Sequence, residues 1–476
     1  VKPRAAAGLV VGALLFALML VAPAPAGLST EAWRTAAVGL LMASWWVSEA
    51  IPIPATALLP LVFFPVLGVA TIGEAAAPFA NPLIYLFLGG FLLAQAMQAA
   101  GLPRRIALGT VRVFGTRPGS VIAGIMAASA FLSMWVSNTA TALMMLPIGL
   151  SLVDLVPGGR EDPGRRRFGT VLMLGIAYAC SVGGMGTLIG TPPNAFLAGF
   201  MLESYGEAIG FAQWMLIGVP LVAIGLPIVF FLLTRVVAPI PFAEIPGGHE
   251  LLERRIDALG SVTTPERRVA TIFAATAAAW ITRPLVERWV PGLSDAGIAI
   301  AAATALFLIP SGAGRGKRLL TWEQAENAPW GVLVLFGGGL SLAAAIERTQ
   351  LGEWLGAHMH AIADWPLPML VLVVVAAIIL LTELTSNTAT AATFLPVLGA
   401  VALAFGRDPL VLAVPAALAA SGAFMLPVAT PPNAIVYGSG ALEIGDMVRA
   451  GIWMNVCFTF LITALTWTLV PIVFGL

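Results

Sequence analysis

Apolar runs separated by short polar connectors fill the chain, at roughly 8–22, 35–47, 55–70, 82–100, 119–155, 168–200, 211–237, 269–289, 294–310, 329–346, 366–404, 409–438 and 451–474. A bilayer core of about 30 Å takes some 20 apolar residues per helical span, so most of these runs have the length of a single crossing. Segments 119–155 and 366–404 are too long for one straight span, and each carries Ser, Asn and Thr in its middle. That pattern predicts a re-entrant helical hairpin whose tip stops at membrane depth, tolerated only where protein or a watery cavity satisfies the freed backbone groups. The first run follows Lys2 and Arg4 and ends in APAPAG, which resembles a secretory signal with an A-x-A end. The prolines crowding that cut, and the membrane protein that follows it, favour an uncleaved first span within residues 1–30.

The stretch from about 238 to 265 mixes Pro, Gly and charge near the midpoint and reads as a cytoplasmic linker, a hinge between halves 31–237 and 266–476. The halves repeat each other. LFLGGFLLAQAMQAAGL at 86–102 faces LFGGGLSLAAAIERTQL at 335–351, and SNTATALMMLP at 137–147 faces SNTATAATFLP at 386–396, both 249 residues later. TPPNA at 191–195 returns at 430–434 after 239 residues, so one loop differs by about ten residues. Each copy holds five spans and one hairpin, an odd number of crossings, so the copies run in opposite directions through the membrane. The expected fold is therefore an all-α polytopic membrane protein. It is an inverted repeat of five spans plus one re-entrant hairpin each, with an extra N-terminal span and broken helices at 168–200 and 409–438. Inverted repeats with broken helices meeting near the midplane are the architecture of secondary transporters, whose site lies between the copies.

Charge tests the threading. With the N-terminus inside, both hairpins returning to their own side and the remaining segments crossing, only Arg34, Arg283, Arg288, Arg348 and Arg407 fall outside, against nineteen other lysines and arginines inside. Making either hairpin a full crossing reverses every later loop and destroys that bias. The expected topology has eleven spans and two hairpins, with the N-terminus cytoplasmic and the C-terminus outside, in a bacterial inner membrane.

Composition removes other classes. Of 476 residues 59% are hydrophobic and 10% charged, against roughly 25% charge in soluble domains, so a soluble fold is excluded. Net charge is zero, with no basic block for nucleic acid. The two cysteines, Cys180 and Cys457, lie in apolar runs far from any CxxC or His-rich spacing. His358 and His360, two apart, would point away from each other on a helix and make no metal site. An intramembrane enzyme would need a Ser–His, paired Asp or HExxH arrangement, and none occurs. Closed hairpins from both faces argue against a channel.

The chemistry sits in the hairpins and breaks. Ser133, Ser137, Asn138 and Thr139 lie in the first hairpin, and Thr382, Thr385, Ser386, Asn387 and Thr388 in the second. Their neutral oxygens, with carbonyls freed at a turn, suit a hard cation such as Na⁺, and the same groups can donate to a carboxylate. Two consecutive prolines cannot both continue a helix, so the helices should break at the Thr-Pro-Pro-Asn motifs. A break leaves the carbonyls of Gly190 and Ala429 for cations on one side, and a new helix N-terminus for an anion on the other.

SEAIPIPATALLP at 48–60, the two SNT motifs and the two TPPN motifs together resemble the divalent anion/sodium symporters, a resemblance that covers nearly the whole chain. Members of that family carry succinate, malate, fumarate or citrate, usually with sodium. The resemblance implies a homodimer in which a transport domain moves like an elevator against a fixed scaffold. It implies one sodium site from Ser133, Ser137, Asn138 and the Gly190 carbonyl, and a second from Thr382, Thr385, Asn387 and the Ala429 carbonyl; Thr385 departs from the small residue expected there. It implies substrate carboxylates held by Ser137, Asn138, Thr139, Ser386, Asn387 and Thr388, with Thr191, Pro192, Thr430 and Pro431 lining the cavity. The expected function is sodium-coupled import of C4-dicarboxylates without an organic cofactor; the alternatives are a sodium-independent dicarboxylate exchanger, or a citrate or sulfate carrier of the same build. Glu49 reads as a scaffold or interface residue. Glu383, matched by Met134 in the first copy, reads as structural or, as an ionisable group within a membrane, as a proton-coupling carboxylate.

Overall fold

The computed structural model describes residues 3–115, 117–157, 162–242, 244–314, 316–358 and 365–476. Lys2, Arg160, Arg315 and His360 lie outside the described residues. Helices account for every regular element among them, apart from an isolated bridge between Pro310 and Arg318. Eight helices among the described residues are long and apolar enough to cross a membrane by length and composition. Shorter apolar helices occur where the sequence predicts hairpin arms and a broken helix: Pro118–Ser133, Asn138–Val153, Leu367–Thr382 and Leu410–Ala420. At 1.5 Å per residue, the 16 residues of Pro118–Ser133 reach about 24 Å, short of a full hydrocarbon core.

The first hairpin joins Pro118–Ser133 to Asn138–Val153 and the second joins Leu367–Thr382 to Asn387–Ala404. The first turn ends because Ser137, with extended backbone, starts a new helix and accepts a hydrogen bond from the Ala140 N–H at 3.3 Å. The broken helices are Pro163–Gly184 with Pro192–Tyr205, and Leu410–Ala420 with Pro431–Gly438. Helix is lost several residues before the prolines the sequence points to. Gly183, Gly184 and Gly186 loosen the first helix, and the prolines then serve as the opening residues of the next one, where a missing N–H costs nothing.

Each second half-helix packs on the other copy's hairpin: Pro192–Tyr205 lies against Asn387–Ala404, and Pro431–Gly438 against Asn138–Val153. This reciprocity brings both hairpin tips and both breaks to one place. Pro163–Gly184 runs through the centre, buried without interruption from Phe168 to Gly184. Small residues permit that: a Cβ on Gly183 would lie 2.7 Å from the Ala130 carbonyl carbon. Pro82–Ala99 and Trp330–Arg348 are the packing surfaces their glycines suggest, with Gly89 backed onto Ala299 and Gly338 onto Ala57. The N-terminal helix Pro3–Val21 lies on Thr30–Ser48 and exposes Leu14, Leu18 and Val21, as a lipid-facing helix does.

The linker is more ordered than a hinge. It contains the helix Gly248–Asp257, tied to Leu102–Phe114 by Arg112–Glu253 at 3.0 Å. Arg105 bonds Glu266 at 2.8 Å and also donates to the Gly260 carbonyl at 3.1 Å.

Candidate functional site

The hairpins and breaks enclose a cavity of about 770 Å³. Its wall includes Ser137, Asn138, Thr139, Thr191, Pro192, Ser386, Asn387, Thr388, Thr430 and Pro431, so every residue assigned to substrate by resemblance lies on one surface. Gly190 and Ala429 line it as well. The helices that start at Asn138, Pro192, Asn387 and Pro431 all open onto this space. A helix N-terminus carries free N–H groups and about half a positive charge, so their convergence makes an anion site. Among the described residues no lysine, arginine or histidine lines the cavity, and Glu49 is its one titratable side chain. For a multiply charged anion there, the partial charges of the helix N-termini are the only positive charge the described residues supply.

Behind the wall the two copies match. Ser133, fully buried, donates to Asn138 Oδ1, and Thr382, fully buried, donates to Asn387 Oδ1 at 2.8 Å. These hydroxyls orient the asparagine amides without facing the cavity themselves. The one proton of Thr382 is shared with the carbonyl, also at 2.8 Å, of Ala420, the last residue of the first half of the second broken helix. Thr385 turns away: its hydroxyl bonds the Leu381 carbonyl at 3.0 Å and Thr390 Oγ1 at 2.6 Å, so the structure does not bring it to Asn387.

The first break brings two of the oxygens expected to hold sodium close together. A Cβ on Gly184 would lie 2.6 Å from Asn138 Oδ1 and 3.1 Å from the Gly190 carbonyl oxygen, so glycine leaves these two oxygens sharing one small space. Asn194 and Asn433, both fully buried, hold the breaks open. Asn194 Nδ2 donates to the Thr187 carbonyl at 2.8 Å and the Gly184 carbonyl at 3.2 Å, while Asn433 Nδ2 donates to the Leu426 carbonyl at 3.1 Å. The fourth letter of the TPPN motif thus replaces part of the missing helix ladder.

The copies differ at Glu383. Its buried carboxylate accepts the N–H groups of Phe424 at 2.7 Å, Met425 at 2.9 Å and Leu426 at 3.1 Å, and Asn455 Nδ2 at 2.9 Å. Thr382 and Glu383 therefore hold the start and the middle of the second break, one taking the Ala420 carbonyl and the other the N–H groups of 424–426. Met134, at the matching place, offers only its carbonyl, to Thr187 Oγ1 at 2.5 Å. Sequence reading gave Glu383 no partners because those partners lie more than forty residues away and carry no motif. Glu49 reaches the cavity from the end of Thr30–Ser48, with left-handed backbone at φ 51°, together with Gln95, Gln98 and Asn327. His358 bonds the Trp354 carbonyl at 2.8 Å, a local contact.

An all-helical bundle with paired helix breaks around a polar-walled cavity is the build of a membrane transporter. Comparison with known proteins agrees and is more specific. The sodium:sulfate symporter transmembrane region matches residues 4–474. The chain is 42% identical to the sodium-dependent dicarboxylate transporter SdcS of Staphylococcus saprophyticus over 98% of this chain and 92% of that protein. It is 40% identical to the protein of the same name from Staphylococcus aureus, with the same coverage. Among solved structures, the YdaH transporter of Alcanivorax borkumensis superposes with a TM-score of 0.59 at 16% identity, covering 99% of this chain and 97% of that one. MtrF of Neisseria gonorrhoeae gives 0.56 at 12%, covering 96% and 94%. These two are alike in fold. The chain belongs to the sodium:sulfate symporter family, the divalent anion/sodium symporters that its paired motifs resemble, and is a multi-pass membrane transporter, not an enzyme.

Proposed function

We propose that the protein imports C4-dicarboxylates such as succinate, malate or fumarate together with sodium. The observation that carries this reading is the convergence of four helix N-termini, with hydroxyls and amides, on a cavity that no lysine, arginine or histidine among the described residues lines. The substrate carboxylates lie against Ser137, Asn138 and Thr139 on one side and Ser386, Asn387 and Thr388 on the other. Sodium ions supply the missing positive charge. One is held by Ser137, Asn138 Oδ1 and the Gly190 carbonyl, with Ser133 orienting the amide. The other is held by Asn387 Oδ1 and the Ala429 carbonyl, with Thr382 behind. The relatives named for sodium-dependent dicarboxylate transport support the same substrate and ion.

Glu49, Gln98 and Asn327 line the cavity on segments that charge counting assigns to the cytoplasm, which supports an inward-facing state. A site made from both hairpins cannot open by separating them without destroying itself. The hairpins and broken helices therefore travel together past a fixed scaffold that includes Pro82–Ala99 and Trp330–Arg348, an elevator-type movement in a homodimer of the inner membrane. Uptake of labelled succinate into proteoliposomes, with sodium, potassium or internal dicarboxylate in turn, tests this. Uptake driven by sodium supports symport. Uptake that needs only internal dicarboxylate makes the protein an exchanger, and uptake of citrate or sulfate in preference to succinate changes the substrate.

A further inference from the structure

The second break is tied to the first copy by two polar contacts. Tyr178, on Pro163–Gly184, is fully buried and its hydroxyl donates to the Phe424 carbonyl at 2.8 Å. The same residue's N–H is held by Glu383, so Phe424 is pinned on both sides of its backbone. The hydroxyls of Thr191 and Ser421, both buried, lie 3.3 Å apart. Thr430 uses its hydroxyl to cap its own helix at the Asn433 N–H, whereas Thr191, the matching residue, makes no such cap and turns its hydroxyl across to Ser421.

Residues 185–191 and 421–430 lie outside the flanking helices, so side-chain contacts contribute strongly to how their carbonyls are aimed. Gly184, the last residue of Pro163–Gly184, lies beside Asn138 and the Gly190 carbonyl, so a cation held there would restrain the end of that helix. Tyr178 lies on that helix within two turns of its end and carries the restraint to Phe424. From there it passes to Glu383 and to its neighbour Thr382, which orients Asn387. We propose that Tyr178 is a positioning residue that couples the two cation sites, so that filling one prepares the other. The proposal rests on the sodium-coupled reading above. It requires two sites biasing one bonded element, which these contacts provide.

The test is Tyr178→Phe in the full chain. The substitution keeps the ring, which packs edge-to-face with Phe424 at a centroid separation of 5.2 Å, and removes only the hydroxyl. Equilibrium sodium binding is measured by isothermal titration of the purified protein, beside initial rates of succinate uptake against sodium in proteoliposomes and thermal unfolding as a check on folding. The unaltered protein should bind sodium with a Hill coefficient above one, the sign of coupling between sites. In Tyr178→Phe the binding coefficient should fall toward one and the half-saturating sodium rise about two- to tenfold, the range one neutral hydrogen bond supplies. Succinate half-saturation at saturating sodium should stay within about twofold. If Tyr178→Phe does not fold, Ser421→Ala removes the parallel contact and carries the same expectation. A protein that transports succinate without regard to sodium overturns the sodium-coupled reading and this proposal together. A sodium-dependent protein with no cooperativity, or one whose cooperativity survives the substitution, overturns this proposal alone.

Discussion

Gly184→Ala is the smallest change that separates an ion site from a packing feature. The new methyl would lie 2.6 Å from Asn138 Oδ1, 3.1 Å from Asn138 Nδ2 and 3.1 Å from the Gly190 carbonyl oxygen. Ordinary contact begins at 3.4 Å, so the amide oxygen must retreat by about 0.8 Å (3.4 − 2.6) or the break must shift. Either movement separates the two oxygens proposed to hold sodium. Loss of one interaction with a charged partner costs about 1.5–3 kcal/mol, which is roughly a ten- to hundredfold rise in half-saturating sodium. Fold stability should fall by about 1–3 kcal/mol from overpacking, offset in part by the about 0.4–1 kcal/mol that alanine recovers by limiting the unfolded chain. Ala423 occupies the matching place in the second copy and already carries that methyl, so Ala423→Gly should leave sodium dependence almost unchanged. Sodium titration of succinate uptake in proteoliposomes, with the unfolding midpoint measured alongside, reads both quantities. A folded Gly184→Ala protein with half-saturating sodium within twofold of the original would refute the assignment of this space to an ion.

Further expectations follow from the same geometry. Asn138→Ala and Asn387→Ala should each raise half-saturating succinate about ten- to hundredfold without loss of expression, measured by uptake; unchanged affinity would return both residues to packing. Glu49→Gln removes the one carboxylate that faces the dianion, so succinate should bind about two- to fivefold more tightly at low ionic strength and with less gain at high salt. Calorimetry measures it, and equal affinities at low salt would mean that Glu49 does not act on the substrate. A cysteine pair joining Pro82–Ala99 to Pro192–Tyr205, which pack together, should stop transport reversibly when crosslinked. Full activity of the crosslinked protein would replace the elevator with a fixed-site gate.

The polar wall of the site was legible in the sequence because hydroxyls and amides stand out in apolar runs and recur at a fixed interval. Ser137, Asn138, Ser386 and Asn387 lie on the cavity for that reason. Thr385 shows where spacing stops helping. It is three residues from Thr382, one helical face if the helix continues, but the helix ends at Thr382 and the turn rotates Thr385 onto Thr390. The clasp by Glu383, the hydroxyl of Tyr178 and the left-handed Glu49 had no sequence signal, because each depends on an element distant in the chain or on a backbone angle. The breaks themselves were legible only at their prolines, while their upstream limits at Gly184 and Ala420 follow from glycine content and from carbonyls captured by Asn194 and Thr382.

A dianion in a cavity that no cationic side chain lines among the described residues should depend on sodium for the charge that the helix N-termini do not supply. Isothermal titration of succinate into the purified protein, in sodium and then in choline at equal ionic strength, tests it most directly. Because the two ligands are linked, sodium must raise succinate affinity by the same factor that succinate raises sodium affinity. Succinate binding should weaken by at least about tenfold in choline, the loss of roughly 1.4 kcal/mol or more. Equal affinity in choline and sodium would contradict it.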